Sequence, residues 1–211
     1  MQKYIIFDLD GTLIDSMPVW RNTGRRYLET HCIPVPENLM SVLKKQTLPQ
    51  TAEFFRTELG ATQSVEEICD EVISYVAEQY ANHIPLKENV KAYLESEQKK
   101  GTKMCILTAS EASYIHLALE RLEILSYFDF VTTCTDMGMG KENPEVFRLT
   151  MEKLGGNLEN TIVFEDAYYA MKSAKALGLQ VYAIADESAQ RETEKIQAIA
   201  DRYIYNYKEL L

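Results

Sequence analysis

The chain opens with Tyr4-Ile5-Ile6-Phe7, an unbroken run of β-branched and aromatic residues that predicts a short strand buried on both faces. The spacing then turns helical. Ser16 predicts the cap of a helix running toward His31, with Pro18 tolerated in its first turn. Further helices are expected over Glu37 to Lys45, from Pro49 to Leu59 with a stop at Gly60, and from the capping-box sequence Ser64-Val65-Glu66-Glu67 through Ile68, Val72, Val76 and Tyr80. Four helices without a strand read as a small bundle, with Trp20 in its core and His83-Ile84-Pro85 as its exit.

From Leu86 onward the two periods alternate. Helices predicted over Val90–Lys100, Glu111–Leu122, Pro144–Leu154, Tyr169–Leu177 and Thr193–Ala200 separate strands at Met104–Leu107, Phe130–Thr133, Thr161–Phe164, Val181–Ile184 and Tyr203–Tyr205, before a last helical turn. That alternation predicts an α/β fold, a parallel sheet covered by helices on both faces. Residues 1–14 and 84–211 would form this core, and residues 15–83 a helical domain inserted after the first strand.

Composition narrows the partners. With 46% apolar and 26% charged residues, the 211-residue chain reads as an ordinary soluble globular protein, long enough to bury about 70% of its unfolded surface. Its net charge of −10 and the lack of a basic run argue against nucleic acid or an anionic membrane surface. An anionic ligand would need a metal or local cations to be admitted. Cys32, Cys69, Cys105 and Cys134 show no metal-ligand spacing and read as reduced thiols of a cytoplasmic chain. A strand starting this early leaves no room for a signal peptide, and no apolar run reaches membrane-spanning length. A monomer is the default expectation. His31, His83 and His116 lack ligand spacing, and the tyrosines at 168, 169, 203, 205 and 207 read as packing residues.

The chemistry concentrates at strand ends. Asp8 and Asp10, two apart in extended chain, face one spot, and Gly11 allows a sharp turn after them. At about 4 Å and an effective dielectric near 20 their repulsion is on the order of 4 kcal/mol. A bound divalent cation is one answer to that cost; a polar turn ending a strand is the other reading. Ligands of parallel sheets bind beyond the carboxyl ends of the strands. Thr108-Ala109-Ser110 and Glu165-Asp166 end two further strands there, and the inserted helices are expected over the same edge as a lid. This convergence favours the site reading.

The order of these motifs resembles the haloacid dehalogenase-like superfamily of phosphotransferases. Phe7-Asp8-Leu9-Asp10-Gly11-Thr12-Leu13 resembles its first motif, Leu107-Thr108 its second, Lys141 its third and Phe164-Glu165-Asp166 its fourth. The helical insert resembles the cap of the phosphoglycolate-phosphatase-like and beta-phosphoglucomutase-like subgroup. The resemblance implies a Rossmann-like three-layer α/β core with an inserted α-helical cap. It implies a Mg²⁺-dependent phosphatase acting on a small phosphorylated metabolite through an aspartyl phosphate. Asp8 would be the nucleophile and Asp10 the acid and then base. Asp8, the backbone carbonyl of Asp10 and Asp166 would hold the metal, with Glu165 directly or behind them. Thr108 and Lys141 would hold phosphate oxygens, with backbone N–H groups of Ala109 and Ser110 as further donors.

The sequence departs from the family where Glu142-Asn143 separates Lys141 from Pro144, where Ala170 replaces a glycine, and where Lys44-Lys45-Gln46-Thr47-Leu48 lacks one. Trp20 stands where the hexose-phosphate mutases carry a histidine, which weakens the phosphosugar mutase alternative. A receiver-like phospho-accepting switch fits less well, because its acceptor lies on a middle strand and it lacks a helical insert. A catalytically idle fold would have no reason to gather mutually repelling acids. Arg21, Arg25, Lys44, Lys45 and Gln46 are candidates for substrate selection.

Overall fold

The computed structural model describes residues 2–43 and 46–211. Its strands are β1 (Tyr4–Phe7), β2 (Lys103–Thr108), β3 (Phe130–Thr133), β4 (Thr161–Glu165), β5 (Gln180–Ile184) and β6 (Arg202–Ile204). They form one parallel sheet in the order β3-β2-β1-β4-β5-β6. The α-helices among the described residues are α1 (Met17–Thr30), α2 (Leu39–Leu43), α3 (Leu48–Leu59), α4 (Val65–Asn82), α5 (Val90–Lys99), α6 (Ala112–Arg121), α7 (Cys134–Met137), α8 (Pro144–Leu154), α9 (Tyr168–Ala176) and α10 (Thr193–Ile199). None is long and apolar enough to cross a membrane.

Central strands covered on both faces need apolar residues at every position, and Ile5, Ile6 and Phe7 of β1 are all fully buried. One sheet face, carrying Ile6, Cys105, Leu107, Val163 and Val181, packs against Val146, Phe147 and Met151 of α8 and Ala170, Met171 and Ala174 of α9. The other carries an aromatic cluster in which Phe7, Tyr93, Phe128, Phe164, Tyr182 and Tyr207 touch with ring centroids 4.8 to 6.3 Å apart. Register pairs Phe7 with both Ile106 and Phe164. One residue further along lie Asp8, Leu107 and Glu165, so the pairing of apolar residues delivers the acids to one edge.

The chain divides into two compact units, Met1–Ser16 with Ile84–Leu211, and Met17–His83. Asp15 and Ser16 stay with the first: Asp15 N–H donates to Pro85 O at 2.9 Å and Ser16 Oγ to Asp10 Oδ1 at 2.6 Å. The second unit packs Tyr27, Leu28, Leu39, Ala52, Phe55, Ile68 and Val72 from α1–α4 into its own core. Helix α4 starts on the expected Ser64–Glu67 capping box, and α3 on a second one formed by Thr47 and Gln50.

Several expectations need correction. Trp20, expected in the bundle core, is 38% exposed, its indole N–H donating to Tyr80 Oη at 2.9 Å. Of the tyrosines read as packing residues, Tyr207 is fully buried, whereas Tyr169 and Tyr205 are more than half exposed. Tyr205 also lies outside β6, because its N–H turns to the Glu209 carboxylate at 2.8 Å. The helix expected from Glu37 begins at Leu39, and Lys44 and Lys45 lie outside the described residues.

Candidate active site

The strand order reverses between β1 and β4, the kind of crevice in which open α/β sheets bind ligands. Asp8 N–H still bonds Phe164 O at 2.9 Å, extending the ladder by one residue. The chain then curls tightly. Leu9 O accepts the N–H groups of Thr12, Leu13 and Ile14 at 3.3, 2.8 and 3.0 Å, and Gly11 takes a φ of +78° that a Cβ would strain. Leu9, Leu13 and Ile14 are fully buried and pin this turn, so Asp8 and Asp10 are held by the core.

Asp8 belongs to a buried charge cluster. Lys141, which precedes α8 and is 3% exposed, donates to Asp8 Oδ1 and to Glu165 Oε2, the latter at 2.8 Å. The other Glu165 oxygen accepts the backbone N–H groups of Asp166 and Ala167 at 3.2 and 3.1 Å. Both oxygens of Glu165 thus take part in hydrogen bonds, one of them with the Lys141 ammonium. Asp8, Glu165 and Asp166 each offer an oxygen within 4.8 Å of the others.

Three acids against one ammonium leave the cluster short of positive charge. Burial, with the neighbouring charge of Glu165, pushes Asp8 up to about 7 despite Lys141. Burial and the charges of Glu165 and Asp8 push Asp166 well above the carboxylate range. Burial works against the charge on Lys141, yet the two carboxylates outweigh it and raise its proton affinity. Asp8 Oδ2 is buried without a hydrogen-bond partner. An orphaned oxygen and an all-oxygen donor set suit a hard divalent cation.

The Asp10 carboxylate is not among these cluster ligands. Ser16 Oγ donates to Oδ1 and Ser110 Oγ to Oδ2, both at 2.6 Å, and Thr108 Oγ1 approaches Oδ2 at 3.4 Å. Thr108 is fully buried and accepts the Ser110 N–H at 3.0 Å, while Ala109 is exposed. Two residues that sequence reasoning missed complete this group. The sequence predicts Ser16 as a helix cap, yet its hydroxyl, in the turn after an acid, donates to Asp10. Tyr114, 5% exposed on the first turn of α6, is hydrogen-bonded through its side chain to Ser110; its helical spacing from Ser110 was the available signal.

Residues 5–184 match the family model described as haloacid dehalogenase-like hydrolase. The chain is 28% identical over 219 aligned positions to the phosphorylated carbohydrates phosphatase of Thermotoga maritima, covering 98% of this chain and 99% of that one. It is 30% identical over 181 positions to validoxylamine A 7'-phosphate phosphatase of Streptomyces hygroscopicus subsp. limoneus, covering 85% of this chain and 84% of that one. Its fold matches that of CbbY from Rhodobacter sphaeroides, solved in complex with phosphate, with a TM-score of 0.79 at 20% identity over 100% of this chain and 96% of that one.

Proposed function

This chain belongs to the haloacid dehalogenase-like hydrolase family, and from that premise we propose that it is a cytoplasmic, Mg²⁺-dependent phosphatase of small phosphorylated carbohydrates, working through an aspartyl phosphate on Asp8. The observation that carries this reading is the buried cluster of Asp8, Glu165, Asp166 and Lys141, with a second carboxylate, Asp10, held apart by hydroxyls two residues on. The names of the two curated relatives support a phosphorylated carbohydrate or a close analogue as substrate. All four cysteines are free, in keeping with a reducing compartment.

Asp8 and Asp166 would hold Mg²⁺ together with the Asp10 backbone carbonyl, while Glu165 keeps Lys141 in place. Bound Mg²⁺ supplies the positive charge that lets a carboxylate approach a phosphate dianion. Lys141 adds a fixed ammonium beside the attacking carboxylate. An Asp8 oxygen bonds to phosphorus as the ester P–O bond breaks, and the departing oxygen takes a proton from Asp10 to leave as an alcohol. Asp10 then accepts a proton from water as the water oxygen bonds to phosphorus and the Asp8–phosphorus bond breaks. Inorganic phosphate leaves, and both aspartates return to their starting states. Thr108 and the N–H of Ala109 would steady the phosphoryl oxygens.

The helical unit, Met17–His83, is the proposed cap domain. Of its candidate contacts, Arg25 pairs with Glu29 at 3.5 Å and Gln46 accepts from Thr51 at 3.4 Å. The test is phosphate release with Mg²⁺ from a panel of fructose 1-phosphate, glucose 1-phosphate, glucose 6-phosphate and glycerol 3-phosphate, with Asp8→Asn as the blank. Release above the blank supports the proposal. Interconversion of the glucose phosphates without release would replace it with a mutase, and no turnover of any kind would overturn it.

A further inference from the structure

Ser110 closes the second strand-end motif, where a phosphate-binding role is the expectation. Its hydrogen bonds point elsewhere. A serine hydroxyl has one proton to donate, and that of Ser110 goes to Asp10 Oδ2 at 2.6 Å. The Ser110 backbone N–H is given to Thr108 Oγ1 at 3.0 Å. Both donors are therefore committed inside the protein, on a residue only 8% exposed. Ser16, fully buried, holds the other Asp10 oxygen at the same distance, so the carboxylate is gripped at both ends and its plane is set. Behind Ser110 stands Tyr114.

We propose that Ser110, backed by Tyr114, is a positioning residue for the acid–base carboxylate of Asp10 and is not a ligand of the substrate's phosphoryl group. The assignment rests on the phosphatase reading above. It predicts which step suffers when the hydroxyl is removed. A sugar alkoxide needs a proton as it leaves, whereas p-nitrophenolate departs without one, so only the sugar ester depends on a well-aimed Asp10 in the first step. Phosphate affinity should be indifferent to Ser110.

The experiment compares wild type, Ser110→Ala and Tyr114→Phe. It measures kcat/KM with p-nitrophenyl phosphate and with the fastest sugar phosphate of the panel, and the competitive inhibition constant of inorganic phosphate. For Ser110→Ala, kcat/KM on the sugar phosphate should fall about 10- to 100-fold, the range for a lost hydrogen bond to a charged group. The loss on p-nitrophenyl phosphate should be several times smaller and the phosphate constant should hold within about twofold. Tyr114→Phe should show the same pattern with smaller losses, and it carries the test alone if Ser110→Ala does not fold. Equal losses on both esters, or a phosphate constant that rises in step with them, would overturn the assignment. If wild type releases phosphate from neither ester, the phosphatase reading itself fails and the assignment falls with it.

Discussion

Replacing Asp8 by asparagine should make the metal-free protein more stable. Asp8, Glu165 and Asp166 bring oxygens within 4.8 Å of one another. At an effective dielectric of about 20, two unit charges at that separation repel by about 3.5 kcal/mol. Asp8 faces the charge of Glu165 at such a separation, and the Lys141 ammonium offsets part of it. Burial is the larger cause, and together with this repulsion it pushes Asp8 from 3.8 to about 7, on the order of 4 kcal/mol of penalty on the ionised form. The sign follows from linkage: the folded state binds this proton more tightly than the unfolded chain. The Asp8 contribution to stability should therefore be lost as pH rises from about 4 through about 7.

Asp8→Asn removes the charge at nearly constant volume, so in chelator at pH 8 it should gain about 2–4 kcal/mol over wild type. At pH 4 the gain should vanish. Mg²⁺ at a hundredfold excess over its dissociation constant should return about 2.7 kcal/mol to wild type and less to the variant, closing or inverting the gap. Urea unfolding at the two pH values, with chelator and with Mg²⁺, reads all four numbers. A variant less stable than wild type in chelator at pH 8 would show that the Lys141 ion pair outweighs burial and repulsion, and would refute the reasoning.

Two further substitutions test other links. Gly11→Ala places a Cβ at φ +78° in the turn that follows the two aspartates and should cost about 1–2 kcal/mol in urea unfolding; a neutral result would mean that the turn relaxes freely. Glu97 is 2% exposed and accepts from Lys3, Lys100 and Thr102 at 2.9, 3.0 and 2.8 Å. Burial pushes its carboxyl up, but these donors outweigh burial and hold it below the ordinary glutamate value. Its contribution is therefore present above pH ~4.5 and lost as pH falls through the folded value. Glu97→Gln should cost about 2 kcal/mol at pH 7 and much less at pH 3, as pH-dependent unfolding would reveal.

The sheet was legible because β1, β2 and β4 each carry an unbroken apolar stretch (Ile5–Phe7, Met104–Leu107 and Ile162–Phe164), and the polar residues that follow these stretches located the acids. Single-chain periodicity was less informative for the helical unit: a stripe of apolar positions does not say which member at its margin is covered, and Trp20 lies at such a margin. The four-residue α7 was missed because it is too short for a period to register, although Thr133 and Asp136 spell a capping box. The roles of the strand-end hydroxyls were beyond sequence reading for a geometric reason. Thr108 and Ser110 could each turn toward an anion or toward Asp10, and the position of the Asp10 carboxylate beside them is set by a turn whose path the sequence does not give. The sequence likewise could not show that Glu165, one of three acids gathered at this edge, also accepts from Lys141 and from two backbone N–H groups.

A crystal structure of the protein grown with Mg²⁺ and beryllium fluoride, a mimic of the phosphoryl group, tests the central proposal most directly. The account predicts a tetrahedral fluoride adduct on Asp8, with one Mg²⁺ bridging it to Asp166 and Lys141 still anchored by Glu165. An adduct on any other residue, or Mg²⁺ bound away from Asp8 and Asp166, would contradict it.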